Sequence, residues 1–185
     1  MNVDQMSTFF ALLTGVANVL VLGGLAVYLG SPYNASAERL RVKISSSLGD
    51  GALTLAWLVA LVATLGSLYY SEVAHYIPCK LCWYQRIAMY PQVVILGIAA
   101  IKKDLGVRRY VLPVVGSGSL ISIYHYALQR FPNLSSASCD PTAPCTATYV
   151  WKFHYISIPF MALSGFALIA VILLFGPRGE RRDSE

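Results

Sequence analysis

Cys79-Lys80-Leu81-Cys82-Trp83-Tyr84-Gln85-Arg86 stands where a polar stretch gives way to an apolar run that continues to Ile101. Two cysteines three positions apart can close a small, reactive disulfide. A helix beginning near the motif puts Cys79, Cys82 and Arg86, at i, i+3 and i+7, on one face. Arg86 then lies about 6 Å below Cys82, at about 1.5 Å per residue. Thiolate is the reactive form of cysteine, and a nearby arginine or a helix amino terminus lowers its pKa. An arginine in a membrane segment costs about 2.5–3.5 kcal/mol at the bilayer centre. It either snorkels to the headgroups or serves a site, and the shared face with two cysteines favours the site.

Outward from the motif, the chain is apolar almost throughout. Of its 185 residues 56% are hydrophobic and 12% charged, whereas a soluble domain carries about a quarter charged residues. A bilayer crossing needs about 20 apolar residues. Five runs qualify: Thr8–Gly30, Gly51–Ser71, Trp83–Ile101, Tyr110–Leu128 and His154–Phe175. Short connections predict antiparallel neighbours, as in an up-and-down bundle. Gly23, Gly24, Gly66, Gly97, Gly116 and Gly118 are candidates for close helix approach. The fold class is an all-α membrane protein lying in a lipid bilayer.

The net charge of +5 does not point to nucleic acid, because the basic residues fill alternate loops. Arg39, Arg41 and Lys43 occupy the first loop. Lys102, Lys103, Arg108 and Arg109 occupy the third, and Arg178, Arg181 and Arg182 the tail. The second and fourth loops, which carry the cysteines, are poor in charge. Positive loops stay inside, which sets the carboxy terminus in the cytoplasm and both cysteine pairs outside. A signal peptide ending at Ala35-Ser36-Ala37 is the other reading of the first run. Residues 1–7 lack the required basic residues and the run exceeds an h-region of about 7–15 residues, so a transmembrane helix is preferred.

Cys139 and Cys145 form the second pair, in a Pro- and Ser-rich loop from Gln129 to Phe153 whose aromatic end belongs at headgroup level. An oxidising compartment lets disulfides persist, so two structural staples remain a reading beside redox chemistry. A zinc site built from the four cysteines is disfavoured by loose spacing and an oxidising face; no metal is expected. His125 falls near the outer end of the fourth run, at a depth similar to Arg86. It is either a satisfied core histidine or, with Arg86, a binder of the carbonyl oxygens of a flat, lipid-soluble ligand such as a quinone.

Three stretches together resemble the DsbB/BdbC family of membrane thiol–disulfide oxidoreductases, closer to the BdbC-like branch. They are Pro78–Arg86, Tyr124-His125-Tyr126-Ala127-Leu128-Gln129, and Pro144-Cys145 with Ile156-Ser157-Ile158-Pro159-Phe160. The resemblance implies a four-helix bundle over 51–175, preceded by an additional membrane helix and basic loop in 1–50 and followed by a cytoplasmic tail, 176–185. It implies a multi-pass protein of the bacterial plasma membrane. Such a protein reoxidises an extracytoplasmic thioredoxin-like partner (DsbA/BdbD-like) and passes electrons to the membrane quinone pool, menaquinone or ubiquinone. By the same resemblance Cys79 and Cys82 are the quinone-proximal pair, with Cys82 as the thiolate facing the quinone. Arg86 stabilises that thiolate and the reduced quinone, and His125 matches a quinone-site histidine. Cys139 takes the mixed disulfide with the partner, and Cys145 then attacks the first pair. The first apolar run is additional to the family core, and the six-position spacing of Cys139 and Cys145 is closer than in some members. The rival readings are a vitamin-K-epoxide-reductase-like quinone reductase and a non-enzymatic membrane protein with structural disulfides.

Overall fold

The computed structural model describes residues 2–49, 51–134, 139 and 143–176. Six α-helices follow in order: α1 Val3–Gly30, α2 Ala35–Leu48, α3 Gly51–Leu68, α4 Lys80–Lys102, α5 Arg108–Arg130 and α6 Ile158–Phe175. Among the described residues the only extended pairing is a single bridge between Lys152 and Ile156. The all-α membrane bundle expected from the apolar runs is what forms. The tail beyond Gly176 lies outside the described residues.

Among the described residues, four segments are long and apolar enough to cross a membrane: Val3–Gly30, Gly51–Val73, Leu105–Arg130 and Ile158–Phe175. The fifth expected crossing, Trp83–Ile101, lies within α4. That helix has 23 residues and so reaches about 34 Å, but Gln85, Arg86 and Gln92 interrupt its apolar character. The two glutamines are buried inside the bundle, where protein rather than lipid meets them. Gln85 Nε2 donates to Ser122 Oγ of α5 at 3.0 Å, and Gln92 Nε2 to the Ala88 carbonyl at 3.1 Å. A polar helix is tolerated in the bilayer when its neighbours screen it and satisfy its groups.

Helices α3, α4, α5 and α6 pack in a closed ring, each against the next, and α1 lies outside it against α6. The core is built from Leu53, Ala56 and Ala60 of α3, Leu96 of α4, Val115 of α5 and Phe166 of α6. Closest approach occurs at Gly118, where a Cβ would stand 2.5 Å from Cζ of Phe166. Gly24, Gly66 and Gly97 also face side chains of other helices. Gly23 and Gly116 meet nothing within 4 Å, so the expected close approach is absent at those two. They lie on outward faces, where lack of a side chain serves no contact.

The basic loop expected over Arg39, Arg41 and Lys43 is instead a helix, α2. Asn34 caps it, its Oδ1 accepting from Ser36 N–H at 2.9 Å, and Gly49 ends it at φ +43°. Ile44 and Leu48, one turn apart, pack beneath it against Val21, Val171 and Phe175, while Arg41 lies over the Tyr28 ring at 5.1 Å. A short amphipathic helix with its apolar stripe down and its cations up is the form such a sequence takes at a membrane surface.

At the opposite end, α3 finishes in a π-helical turn, Tyr69–Val73. An aromatic column follows: Tyr70 stacks on Tyr76 and Tyr76 on Tyr149, with ring centroids 5.8 and 4.7 Å apart. This column ties the segment before Cys79 to the long loop that carries Cys145. Gln129 Nε2 donates to the Ala147 carbonyl at 3.0 Å, and Arg130 lies over Trp151 at 5.2 Å. Among its described residues the loop expected to be irregular forms no α-helix beyond Arg130, and these contacts hold it down on the bundle.

Candidate redox site

Cys79 is the N-cap of α4: its Sγ accepts from Cys82 N–H at 3.4 Å. The first turn of the helix thereby aims its unpaired N–H groups at sulfur, an arrangement that favours thiolate. Cys79 and Cys82 are free thiols with sulfurs 3.0 Å apart. Cys139 and Cys145 are joined in a disulfide. Cys145 and Cys79 are both buried and belong to one apolar cluster with Leu128, against which Cys82 and Cys139 pack. The two pairs predicted from spacing therefore meet at one end of the bundle.

Three groups converge on Cys79. Beside the Cys82 thiol and amide, Nε2 of His125 on α5 stands 3.6 Å from its sulfur. The hydrogen bond from the Cys82 thiol holds Cys79 far below the ordinary thiol value, at about 4; burial opposes this, and contact with His125 adds to it. In the dithiol state the acceptor of these bonds is thus Cys79, while the resemblance assigned the thiolate to Cys82. The 3.0 Å sulfur spacing is a proton-transfer distance, so charge on one sulfur is available to the other.

Arg86 does not snorkel. It turns into the bundle, Nε donating to Ser67 Oγ at 3.1 Å and Nη2 to the Ser67 carbonyl at 3.2 Å. The guanidinium lies over the Trp83 ring at 5.3 Å, a favourable seat for a cation. Tyr90 also donates to Ser67 Oγ, at 3.1 Å. Ser67 and Tyr90 escaped the sequence reading, although each is a hydroxyl group in an otherwise apolar run.

Two cavities border the pair. The larger, 390 Å³, reaches from Cys82, Arg86 and Tyr90 between α3, α4, α6 and α1. Its walls are mostly apolar, with Ser67, Arg86 and Tyr90 near the cysteine and Thr14 and Ser164 further along. The smaller, 30 Å³, is lined by Cys79, Cys82, His125, Gln129 and Pro144. His125 Nδ1 and Gln129 Oε1 are buried there without protein partners among the described residues, and the space holds about one water molecule. His125 and Arg86, expected to converge on one ligand, are therefore separated: Arg86 is in the large cavity and His125 in the small one. Cys82 borders both. His75 and His154 stand in loop turns with positive φ, away from either.

Metal chemistry fits poorly. The disulfide removes Cys139 and Cys145 from a four-cysteine set. The sulfurs of Cys79 and Cys82 and a ring nitrogen of His125 lie within 4.8 Å of one another. Two thiolates on a tetrahedral zinc stand about 3.8 Å apart, given bonds of about 2.3 Å. The observed 3.0 Å suits sulfur–sulfur chemistry better.

A membrane helical bundle that brings a dithiol and a disulfide together at one end defines a class, the membrane thiol–disulfide proteins. The comparisons agree. The model of the family "Disulfide bond formation protein DsbB" matches residues 50–176, and the chain belongs to that family. Disulfide bond formation protein C of Bacillus subtilis is 50% identical over 131 residues, 69% of this chain and 95% of that protein. A probable disulfide formation protein of Oceanobacillus iheyensis is 47% identical over 138 residues, 73% of this chain and 94% of its own. One from Coxiella burnetii is 41% identical over 133 residues, 71% and 90% of the two chains. No solved structure matches the chain.

Proposed function

We propose that this chain is a quinone-dependent disulfide oxidase, working at the outer face of a bacterial plasma membrane on a thioredoxin-like dithiol partner. One observation carries the reading: the Cys139–Cys145 disulfide packs on the Cys79/Cys82 dithiol, and Cys82 opens onto an apolar cavity with a cation at its end. Basic residues gather at the opposite end of the bundle, in α2 and around Lys102 and Arg108, which orients the cysteines outward.

The chemistry is serial thiol–disulfide exchange. A partner thiolate attacks Cys139, and Cys145 leaves as thiolate. The partner's second thiol resolves the mixed disulfide, so the partner departs oxidised and Cys139 and Cys145 hold its two electrons. Cys145 then attacks Cys79 of a Cys79–Cys82 disulfide, and Cys82 leaves as thiolate beside the cavity. Cys139 attacks Cys145, restoring the loop disulfide and freeing Cys79. The pairs end as they stand here, one disulfide and one dithiol. Because Cys145 and Cys79 already share one cluster, the six-position loop has little distance to cover.

The cavity suits a quinone. Its volume of 390 Å³ lies within the range of small-molecule sites, and it carries the cation Arg86 near Cys82. Ser67 holds the Nε and Nη2 edge of Arg86, leaving Nη1 to meet a carbonyl oxygen. A bound quinone supplies a two-electron, two-proton acceptor. Arg86 and Tyr90 would orient its head, and Cys82 would face it. His125 would act on the other side, keeping Cys79 charged. Membranes containing the protein should oxidise a thioredoxin-like dithiol only when quinone is present. Retention of that activity by Cys82→Ser would sink the mechanism. In Cys145→Ser, Cys139 should trap the partner as a mixed disulfide identifiable by mass spectrometry. A protein with merely structural disulfides would trap nothing.

A further inference from the structure

Helix α1 lies outside the residues that match the family model, 50–176, yet it forms one wall of the large cavity. We infer that α1 is the binding wall for the apolar chain of the membrane quinone, and that the slot between α1 and α3 is the port through which that chain reaches the lipid. The inference rests on the quinone reading above and extends it to a part of the chain that reading does not use.

Phe10, Leu13, Thr14, Ala17 and Leu20 of α1 line the cavity. Their spacing of three and four residues places them along one face of a helix. That face makes no polar demand, since Thr14 Oγ1 is occupied in donating to the Phe10 carbonyl at 2.8 Å. Across the slot stand Leu58 and Val62 of α3. Leu13 and Leu20 on one side and Leu58 and Val62 on the other are each more than 40% exposed, so the lining runs outward to the bilayer. The head end, by contrast, carries the half-buried polar group of Ser67, Arg86 and Tyr90. A ligand with a flat polar head and a long apolar tail matches this gradient. A compact polar substrate would leave the α1 face unused.

Polar locks hold α1 at its post. Asp4 pairs with Lys152, Tyr70 donates to Ser7 Oγ at 3.3 Å, and Ser164 donates to Asn18 Oδ1 at 2.8 Å. Nearer the other end, Gly24 lies so close to Val171 that a Cβ would stand 2.6 Å from its Cγ1. These contacts fix α1 in parallel register on α6; Phe10 also reaches Gly66 of α3, and the slot lies beside Leu58 and Val62. A helix serving only as a membrane anchor has no need of fixed register beside a cavity.

The test uses the whole chain in membranes and a quinone carrying a photoreactive group at the end of its isoprenoid chain. After irradiation, labelled peptides are mapped by mass spectrometry, with unlabelled quinone as competitor. Competable label within residues 8–30 is the expected result. Label confined to α3, α4 or α6 would overturn the role of α1 and leave the quinone reading standing. No competable label anywhere would overturn both. As a second measurement, Ala17→Trp should weaken binding of a long-chain quinone about tenfold, equivalent to losing roughly two buried methylenes, and leave a tailless naphthoquinone unaffected. Val19→Trp, on the lipid-facing side of α1 at 71% exposure, should change neither. Equal weakening of both quinones by Ala17→Trp would overturn the assignment.

Discussion

His125 Nε2 stands 3.6 Å from Cys79 Sγ, bridging 46 positions of sequence and two helices of the ring. The contact gives a buried thiol a partner that stabilises its charged form. It also places the histidine on the far side of the pair from Arg86. The two polar groups thus serve different sulfurs.

Replacing His125 with Ala should slow alkylation of Cys79 below its midpoint of about 4. We expect about a tenfold loss there, the equivalent of about one pKa unit. The measurement is iodoacetamide labelling of the reduced protein in a Cys82→Ser background, where the serine hydroxyl keeps a donor beside Cys79. An unchanged rate would show that the 3.6 Å contact has no chemical weight.

The thiol value of about 4 for Cys79 against an ordinary value of 9.0 fixes a pH signature. Between those values the folded protein holds thiolate while the unfolded chain holds thiol. The unfolded state then binds more protons, so stability rises with pH across this window. The contribution is complete above about pH 9 and disappears as pH falls through about 4. In the reduced protein, labelling of Cys79, corrected for reagent reactivity, should stay level from pH 8 down to about 5 and fall below that. A half-point near the ordinary thiol value would contradict the geometry.

Ser67→Ala removes the oxygen that receives both Arg86 Nε and the Tyr90 hydroxyl. A hydrogen bond to a charged group contributes about 1.5–3 kcal/mol. The guanidinium should lose its fixed aim, and the KM for quinone should rise about tenfold or more. Oxidation of the partner's dithiol in a single turnover, which needs only the cysteines, should persist. Arg86→Gln should show the larger effect on the same parameter. Loss of single turnover in Ser67→Ala would mean that the residue supports the fold and not the cation.

Gly118→Ala drives a methyl group into the Phe166 ring, with 2.5 Å to the nearest ring atom. Overpacking of this kind costs about 1–3 kcal/mol, read as a lower unfolding temperature in detergent. Phe166→Leu in the same chain should recover part of it. Gly116→Ala, which meets nothing within 4 Å, should instead stabilise by about 0.5–1 kcal/mol through helix propensity.

Much of this site was legible before any coordinates. Apolar length located α1, α3, α4, α5 and α6, and spacing put Cys82 and Arg86 on the same cavity. What failed had physical reasons. Position along a run matches His125 and Arg86 in expected depth only. The direction a side chain points around the helix axis depends on which neighbours the helix acquires, and that separated them. Helix α2 looks like a loop in the sequence because its charges outweigh the faint stripe of Ile44 and Leu48. Ser67 gave the weakest signal, since a lone serine in an apolar helix most often bonds its own backbone. The partnership of α1 with the cavity left no mark in composition, because a wall for an apolar chain looks like any lipid-facing helix.

Cys82 borders both cavities, and this has a kinetic consequence. If the relay runs as proposed, one sulfur faces the electron donor's side and the acceptor's side in turn. The two half-reactions then cannot be concurrent. Turnover should follow a ping-pong scheme, with parallel lines in double-reciprocal plots of partner against quinone. Saturation with either substrate would leave the other half-reaction as the bottleneck, so the slower supply sets the pace of the whole membrane circuit.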